Sequence, residues 1–193
     1  MSARREPAQV TVSFNSCTRC TLYKTRRKVV WGRGAMPADI MFLGEAPGRV
    51  EDLRGEPFIG PSGQLLEEMI ADATRIARPA SECHPFALLP SYFVTNAVMC
   101  HPTERIGGDD RVPHAHEVLA CMDNVLTLYK RVNPAVVIFV GKVAARFYAK
   151  EFTVHETILH PSFLLRQGGK SSPHYVTTIR KLAEVIGRVC YAT

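Results

Sequence analysis

The sequence lacks the features that mark several classes of protein. No apolar run approaches the roughly 20 residues that a membrane span needs, and the polar segment from Met1 to Gln9 lacks the apolar stretch of a signal peptide. No internal repeat, low-complexity segment or long linker divides the 193 residues. We therefore expect a cytoplasmic, monomeric protein without a membrane anchor. It would have a flexible leader over residues 1–9 and a single domain over residues 10–193.

Signatures of nucleotide binding are also missing. No Gly-x-Gly-x-x-Gly motif follows the first predicted strand, and the glycines beyond that strand do not have the spacing of a P-loop. A Rossmann-type nucleotide enzyme is therefore disfavoured. The net charge of +6 and the pI near 9.1 agree with a polyanionic partner, although charge alone is a weak indication.

Six cysteines stand in a chain expected to remain in a reducing compartment, where structural disulfides are rare. Cys17 and Cys20 form a Cys-x-x-Cys pair, a spacing that lets two thiolates bind one metal ion or cluster. Cys83 and Cys190 have no cysteine near them in the sequence and are interpreted as small buried hydrophobic residues. Ligation of a metal or cluster is thus the leading explanation for the remaining cysteines.

Short apolar runs alternate with segments of helical periodicity, which predicts a three-layer α/β/α fold around a central, mostly parallel, four-stranded sheet. The predicted strands cover residues 40–43, 92–95 and 136–140 and a short segment before His160. The predicted helices cover residues 64–77, 113–131, 142–149 and 174–188. Ligands of such sheets bind at the carboxyl ends of the strands. We therefore expect the loops from Gly44, Asn96, Gly141 and His160 to meet at one edge.

Three motifs lie at these strand ends. The first runs Gly44-Glu45-Ala46-Pro47-Gly48, continues through Glu51 and ends in Pro57-Phe58-Ile59-Gly60 within a long loop from Gly44 to Gly63. The second is His160-Pro161-Ser162, and the third is Thr95-Asn96 followed by Cys100. Taken together and in their order along the chain, the motifs resemble those of the family 4 uracil-DNA glycosylases, the iron–sulfur or thermophile type. The resemblance covers roughly residues 17 to 183.

The resemblance implies a role for each motif residue. Phe58 would stack on an extruded uracil. Asn96 would read uracil O4 and N3–H with its amide. His160 would donate a hydrogen bond toward uracil O2, where negative charge develops as the glycosidic bond breaks. Glu51 would lie near base and sugar and exclude the thymine methyl, stabilise the sugar cation or position water.

The resemblance adds further residues to the predicted site. Glu45 is counted with the catalytic group, and Gly48 would shape the pocket through the loop backbone. Ala46 stands where better-known uracil glycosylases have an aspartate, so the activation of water is left open. Ser162 and Arg166 complete the predicted substrate-binding set, with Arg166 entering or pressing on the groove that the flipped nucleotide vacates. Leu164 and Leu165 are expected to pack rather than to intercalate.

The resemblance also implies that Cys17, Cys20, Cys100 and Cys121 hold a structural 4Fe–4S cluster. Spacing alone leaves zinc as an alternative, and Cys121 is the least secure ligand because Gly107 to Asp110 looks like an insertion. The fallback ligands are His101, His114 and His116. The basic residues Lys24, Arg26, Arg27 and Lys28 would face DNA phosphate or form a solvated run.

The implied activity is that of a monofunctional glycosylase that excises uracil from DNA. No lysine stands inside the three motifs, so cleavage of the strand through a Schiff base is not expected. The alternatives are a non-catalytic iron–sulfur DNA-binding module of the same fold and a glycosylase for another deaminated base. Whether a sliding clamp or a polymerase binds the protein is left open.

Overall fold

A computed structural model of the protein describes residues 14–77 and 90–190. Its strands are β1 (Arg33–Gly34), β2 (Ile40–Gly44), β3 (Tyr92–Asn96), β4 (Val136–Val140) and β5 (His155–Ile158). They form one sheet in the order β1-β3-β2-β4-β5. The pairs β2–β3, β2–β4 and β4–β5 are parallel, and β1 joins the edge antiparallel to β3. The four predicted parallel strands are confirmed, and β1 adds a fifth strand of two residues.

The helices are α1 (Arg49–Arg54), α2 (Pro61–Ala77), α3 (Ala115–Val132), α4 (Lys142–Tyr148), α5 (Pro161–Arg166) and α6 (Pro173–Cys190). Alternate residues of the central strands point to opposite faces of the sheet. Met41, Leu43 and Phe139 pack with α3 and α4 on one face. Ile40, Phe42 and Ile138 pack with α2 and α6 on the other. The three-layer α/β/α class is therefore confirmed.

Two short helices depart from the prediction. The segment from Gly44 to Gly63 was expected to be a loop, but it contains α1, which begins after Gly48 and ends at the left-handed Gly55. Six polar-rich residues give too little periodicity for this helix to be seen in the sequence. The second is α5, which begins directly after His160 with Pro161 in its first turn.

Some predictions fall outside what the structure describes. The leader over residues 1–9 and Cys83 lie outside the described residues, and the side chain of Cys190 is likewise not described. Within residues 14–77 and 90–190, no helix combines the length and the apolar character that crossing a membrane requires.

Candidate active site

A cleft of about 730 Å³ opens at the carboxyl edge of the sheet. It is lined by residues that follow β2, β3, β4 and β5, as the predicted convergence of loops required. All nine predicted catalytic and substrate-binding residues line it: Glu45, Ala46, Gly48, Glu51, Phe58, Asn96, His160, Ser162 and Arg166. The structure therefore brings residues of all three motifs together in one cleft.

Gly44, the last residue of β2, makes room for two cleft side chains. A Cβ atom at this position would lie 2.4 Å from Cζ of Phe58 and 2.5 Å from Oδ1 of Asn96. Any other residue would push the aromatic ring and the amide apart. The first glycine of the motif thus sets how closely Phe58 and Asn96 approach the end of the sheet.

The loop that carries Phe58 is held by Glu51 of α1. Oε1 of Glu51 accepts hydrogen bonds from the backbone N–H groups of Ile59, at 3.3 Å, and Gly60, at 3.0 Å. Phe58 is 8% exposed and has a positive φ of 54°, the left-handed region that few non-glycine residues adopt. One carboxylate oxygen therefore stabilises a strained turn, while Oε2 of Glu51 lies beside Gly48.

Asn96, the last residue of β3, is 1% exposed. Its Oδ1 is buried and has no hydrogen-bond partner. A buried acceptor without a partner costs about 1–3 kcal/mol. An unpaired amide oxygen on the wall of a cleft is therefore a site for a ligand N–H donor.

His160 is held in one tautomer by the start of α5. Its Nδ1 accepts hydrogen bonds from the backbone N–H of Ser162, at 3.1 Å, and from the Ser162 hydroxyl, at 2.8 Å. The backbone N–H can only donate, so Nδ1 is the acceptor and the neutral ring carries its proton on Nε2. Burial, with a smaller contribution from Arg166, lowers the pKa of His160 to about 4. The ring is thus a neutral N–H donor at physiological pH.

The rings of Phe58 and His160 lie 6.4 Å apart between centroids, tilted by 33°. Gly141 has a positive φ of 94°, and a Cβ atom there would lie 3.1 Å from Cβ of His160. The turn after β4 therefore passes directly against the histidine. An aromatic face, an amide and a neutral imidazole N–H meet in one cleft.

The remaining motif residues form the wall beside α1. Burial raises the pKa of the Glu45 carboxyl above its ordinary value. Ala46 carries no ionisable group, so the carboxylates of this first motif are those of Glu45 and Glu51. Ser162 lies partly buried beneath His160, and Arg166 is exposed at the end of α5.

The cleft also has a wall that sequence reasoning did not include, formed by Gly108 to Arg111. Oδ1 of Asp110 accepts a hydrogen bond from the backbone N–H of Arg49, at 3.2 Å, and lies 2.7 Å from Nε2 of the fully buried His101. Oδ2 of Asp110 faces Gly48. The segment interpreted as an insertion near the cysteines is therefore part of the cleft wall.

The four predicted cysteine ligands lie around a second, smaller pocket, together with Arg26 and Asn124. Nη1 of Arg26 lies 3.5 Å from Sγ of Cys100, and Nδ2 of Asn124 lies 3.8 Å from Sγ of Cys17. Donors beside sulfur atoms suit ligands in the thiolate form. Cys121, the least secure of the four in the sequence, lines the pocket as the others do.

Three thiols of this pocket are poor acids without a cation, those of Cys20, Cys100 and Cys121. Burial raises the pKa of Cys20, that of Cys100 to about 11 and that of Cys121 to about 12. A bound metal or cluster would supply the positive charge that favours the thiolates. None of the fallback histidines lines the pocket. His101 lies beside Asp110, and His114 and His116 stack on each other.

The basic segment after Cys20 is held by a buried carboxylate of α1. Asp52 of α1 is fully buried, and its Oδ1 accepts hydrogen bonds from the backbone N–H groups of Arg27, at 2.8 Å, and Lys28, at 3.3 Å. The same helix thus touches both the cleft and the chain that leads to the cysteine pocket.

Comparison with known proteins agrees with this arrangement. The fold is of the α/β class, and its cleft is lined by an aromatic ring, an amide and an imidazole. The family model of the uracil DNA glycosylase superfamily matches residues 31–183, and the chain therefore belongs to this superfamily.

Individual relatives lie in its type-4 branch. A type-4 uracil-DNA glycosylase of Archaeoglobus fulgidus is 35% identical over 75% of this chain and 64% of its own length. One of Saccharolobus solfataricus is 32% identical over 72% of this chain and 56% of its own length. One of Thermotoga maritima is 30% identical over 81% of this chain and 82% of its own length. The matched region thus spans less than two thirds of the first two relatives.

Proposed function

We propose that this chain is a monofunctional uracil-DNA glycosylase. It would flip uracil out of DNA and hydrolyse the N-glycosidic bond, leaving an abasic site. The observation that carries the proposal is the cleft in which a neutral His160 N–H donor, the unpaired amide oxygen of Asn96 and the ring of Phe58 meet. The names of the type-4 relatives support the same activity.

The base would be recognised by Phe58 and Asn96. Uracil presents a flat ring for stacking, and aromatic stacking of a base is worth about 1–3 kcal/mol. Its N3–H would donate to Oδ1 of Asn96, and its O4 would accept from Nδ2. Cytosine carries an unprotonated N3 and an amino group in these places, so it would leave the buried amide oxygen without a donor.

The leaving group would be stabilised by His160. As the glycosidic bond breaks, negative charge collects on the uracil ring and its O2. A donor already aimed at that oxygen contributes about 3 kcal/mol to the transition state. Ser162 would act by holding the tautomer that places the proton on Nε2.

Ala46 stands where better-known uracil glycosylases have an aspartate. Stabilisation of the sugar cation and positioning of water would therefore rely on other carboxylates. Glu51 is the first candidate, since Oε1 is engaged by the loop and Oε2 lies beside Gly48 at the cleft wall. It would stabilise the developing sugar cation or position water. Glu45, with its raised pKa, would shape the wall together with Gly48.

DNA would lie across the cleft with its phosphates near the exposed Arg49, Lys142 and Arg166 and near the basic segment that follows Cys20. Lys142 is the lysine that lines the cleft among the described residues. Borohydride trapping would test whether it forms a Schiff base. A monofunctional enzyme should give no covalent adduct with DNA.

The four cysteines would hold a 4Fe–4S cluster with a structural role, tying the N-terminal segment to the domain. Among the described residues, no three histidine, cysteine or acidic side chains form a group that could hold one metal ion. The four cysteines line one pocket, which supports their acting together as the ligands of one cluster. Purified protein should contain about four iron atoms per chain, and Cys121→Ser should lower that number. One zinc atom per chain would contradict the cluster.

The protein would act as a monomer in the cytoplasm, where thiols remain reduced. The decisive experiment uses oligonucleotides that differ in one base, uracil, thymine or hypoxanthine, with abasic sites measured by alkaline cleavage. We expect product from uracil alone and a loss of about 100-fold in Asn96→Ala. Product from hypoxanthine alone would favour a glycosylase for another base. Binding of DNA without product from any base would favour the non-catalytic module.

A further inference from the structure

The peptide groups on both sides of Phe58 are held by two side chains of opposite charge. On one side, Glu51 accepts the N–H groups of Ile59 and Gly60. On the other, Arg33 of β1 donates from Nε to the carbonyl oxygen of Pro57, at 3.0 Å, and from Nη2 to that of Phe58, at 3.4 Å. The carbonyl groups of Pro57 and Phe58 and the N–H groups of Ile59 and Gly60 are thus fixed.

The turn needs this support because Phe58 is in the left-handed region, with a φ of 54°. Such a conformation costs a non-glycine residue of order 1 kcal/mol and persists only where its surroundings enforce it. The carbonyl of Phe58 also passes against Gly63 of α2, where a Cβ atom would lie 1.8 Å from that oxygen. The backbone at Phe58 therefore has little freedom while these contacts stand.

Arg33 is itself well anchored. Its backbone pairs with Val94 of β3, and its guanidinium forms an ion pair with Glu67 of α2. The other carboxylate oxygen of Glu67 accepts the hydroxyl of Tyr92. The planar guanidinium can therefore direct two donors at the Phe58 turn while it remains paired with a carboxylate.

We infer that Arg33 is a positioning residue for uracil excision, which holds the Phe58 turn so that the aromatic ring faces the base. This inference rests on the proposed function. Arg33 lies 25 residues before Phe58 and in none of the three motifs. Arg33 would touch neither uracil nor sugar, and its effect on the reaction would pass through Phe58.

A double-mutant cycle tests this route. Single-turnover excision of uracil is compared for the wild type, Arg33→Ala, Phe58→Ala and the double variant. We expect Arg33→Ala to slow excision about 10-fold in the wild-type background and less than about twofold in the Phe58→Ala background. General damage to the fold would instead lower both backgrounds by the same factor.

Two further variants complete the experiment. Arg188→Ala removes an arginine paired with Glu156 near the amino end of β5 and should leave the rate unchanged. Arg33→Lys keeps a positive charge beside Glu67 but loses the planar fork, so it replaces Arg33→Ala in the cycle if that variant does not fold. An inactive wild type would contradict both the proposed function and this inference. An active wild type with an unaffected Arg33→Ala, or with equal losses in both backgrounds, would overturn the inference alone.

Discussion

At the scale of single residues, the cleft depends on atoms that are absent as much as on those present. Gly44 leaves the space in which Phe58 and Asn96 meet, since a Cβ atom would lie within 2.5 Å of both. The side chains packed over this position therefore require a glycine as the first residue of the motif. Its role in the site is steric.

We predict that Gly44→Ala lowers the free energy of unfolding by about 2 kcal/mol through overpacking and abolishes most uracil excision. Gly187→Ala is the matched control. It lies within α6, where an added Cβ meets nothing within 4 Å. Helix propensity should make that variant more stable by about 0.5–1 kcal/mol, with unchanged activity. Chemical denaturation and the excision assay measure both effects, and a Gly44→Ala enzyme of wild-type activity would contradict the steric account.

His160 gives a prediction on pH. Its pKa is about 4 in the folded protein against an ordinary value of 6.5. The unfolded chain therefore binds the proton more readily, and stability falls as the pH drops below 6.5. Between pH 7 and pH 5, we expect the wild type to lose about 2 kcal/mol more than His160→Gln. Denaturation curves at the two pH values give this difference, and equal losses in the two proteins would show that His160 is not buried as a neutral ring.

At the scale of elements, the segment between β3 and α3 joins the cysteine pocket to the cleft. It begins at Cys100, is attached to α1 by Asp110 and is attached to α3 by Arg111, which pairs with the buried Glu117. The side chain of His101, within this segment, is buried with Nδ1 unpaired and Nε2 beside Asp110. The segment thus forms a wall of the cleft that is attached to the rest of the domain at α1 and α3.

We predict that Asp110→Ala lowers the free energy of unfolding by about 1–2 kcal/mol. The buried His101 would lose the carboxylate beside its Nε2, and α1 would lose the acceptor of its first N–H group. The variant should also raise KM for uracil-containing DNA by a larger factor than it lowers kcat. Asp109→Ala, an exposed neighbour in the same wall, is the control and should stay within about 0.5 kcal/mol of the wild type. Equal effects of the two substitutions would mean that the segment is not attached through Asp110.

The main strands and helices could be predicted from the sequence, because each buried strand is a short apolar run and each long helix has one apolar face. Helix α1 and strand β1 could not be predicted, because their six and two residues are too few for a periodic pattern. The nine predicted site residues came from motifs at strand ends, where topology brings them together. Arg33 and Asp110 lie outside those motifs, and their partners are defined only by the folded chain.

At the scale of the whole molecule, one helix links the two pockets. α1 presents Glu51 to the Phe58 turn and Asp52 to the backbone of the basic segment, and it receives Asp110 at its start. The cysteine pocket lies at the other end of that basic segment. A cluster in that pocket would therefore stabilise the cleft through the chain that α1 holds, without contributing to the chemistry.

The central claim is that a neutral His160 stabilises the uracil leaving group. The most direct measurement is the single-turnover rate of uracil excision by the wild type, His160→Ala and the control His116→Ala, an exposed histidine of α3. The account predicts a loss of about 100-fold or more in His160→Ala and none in the control. A folded His160→Ala enzyme that excises uracil at the wild-type rate would contradict it.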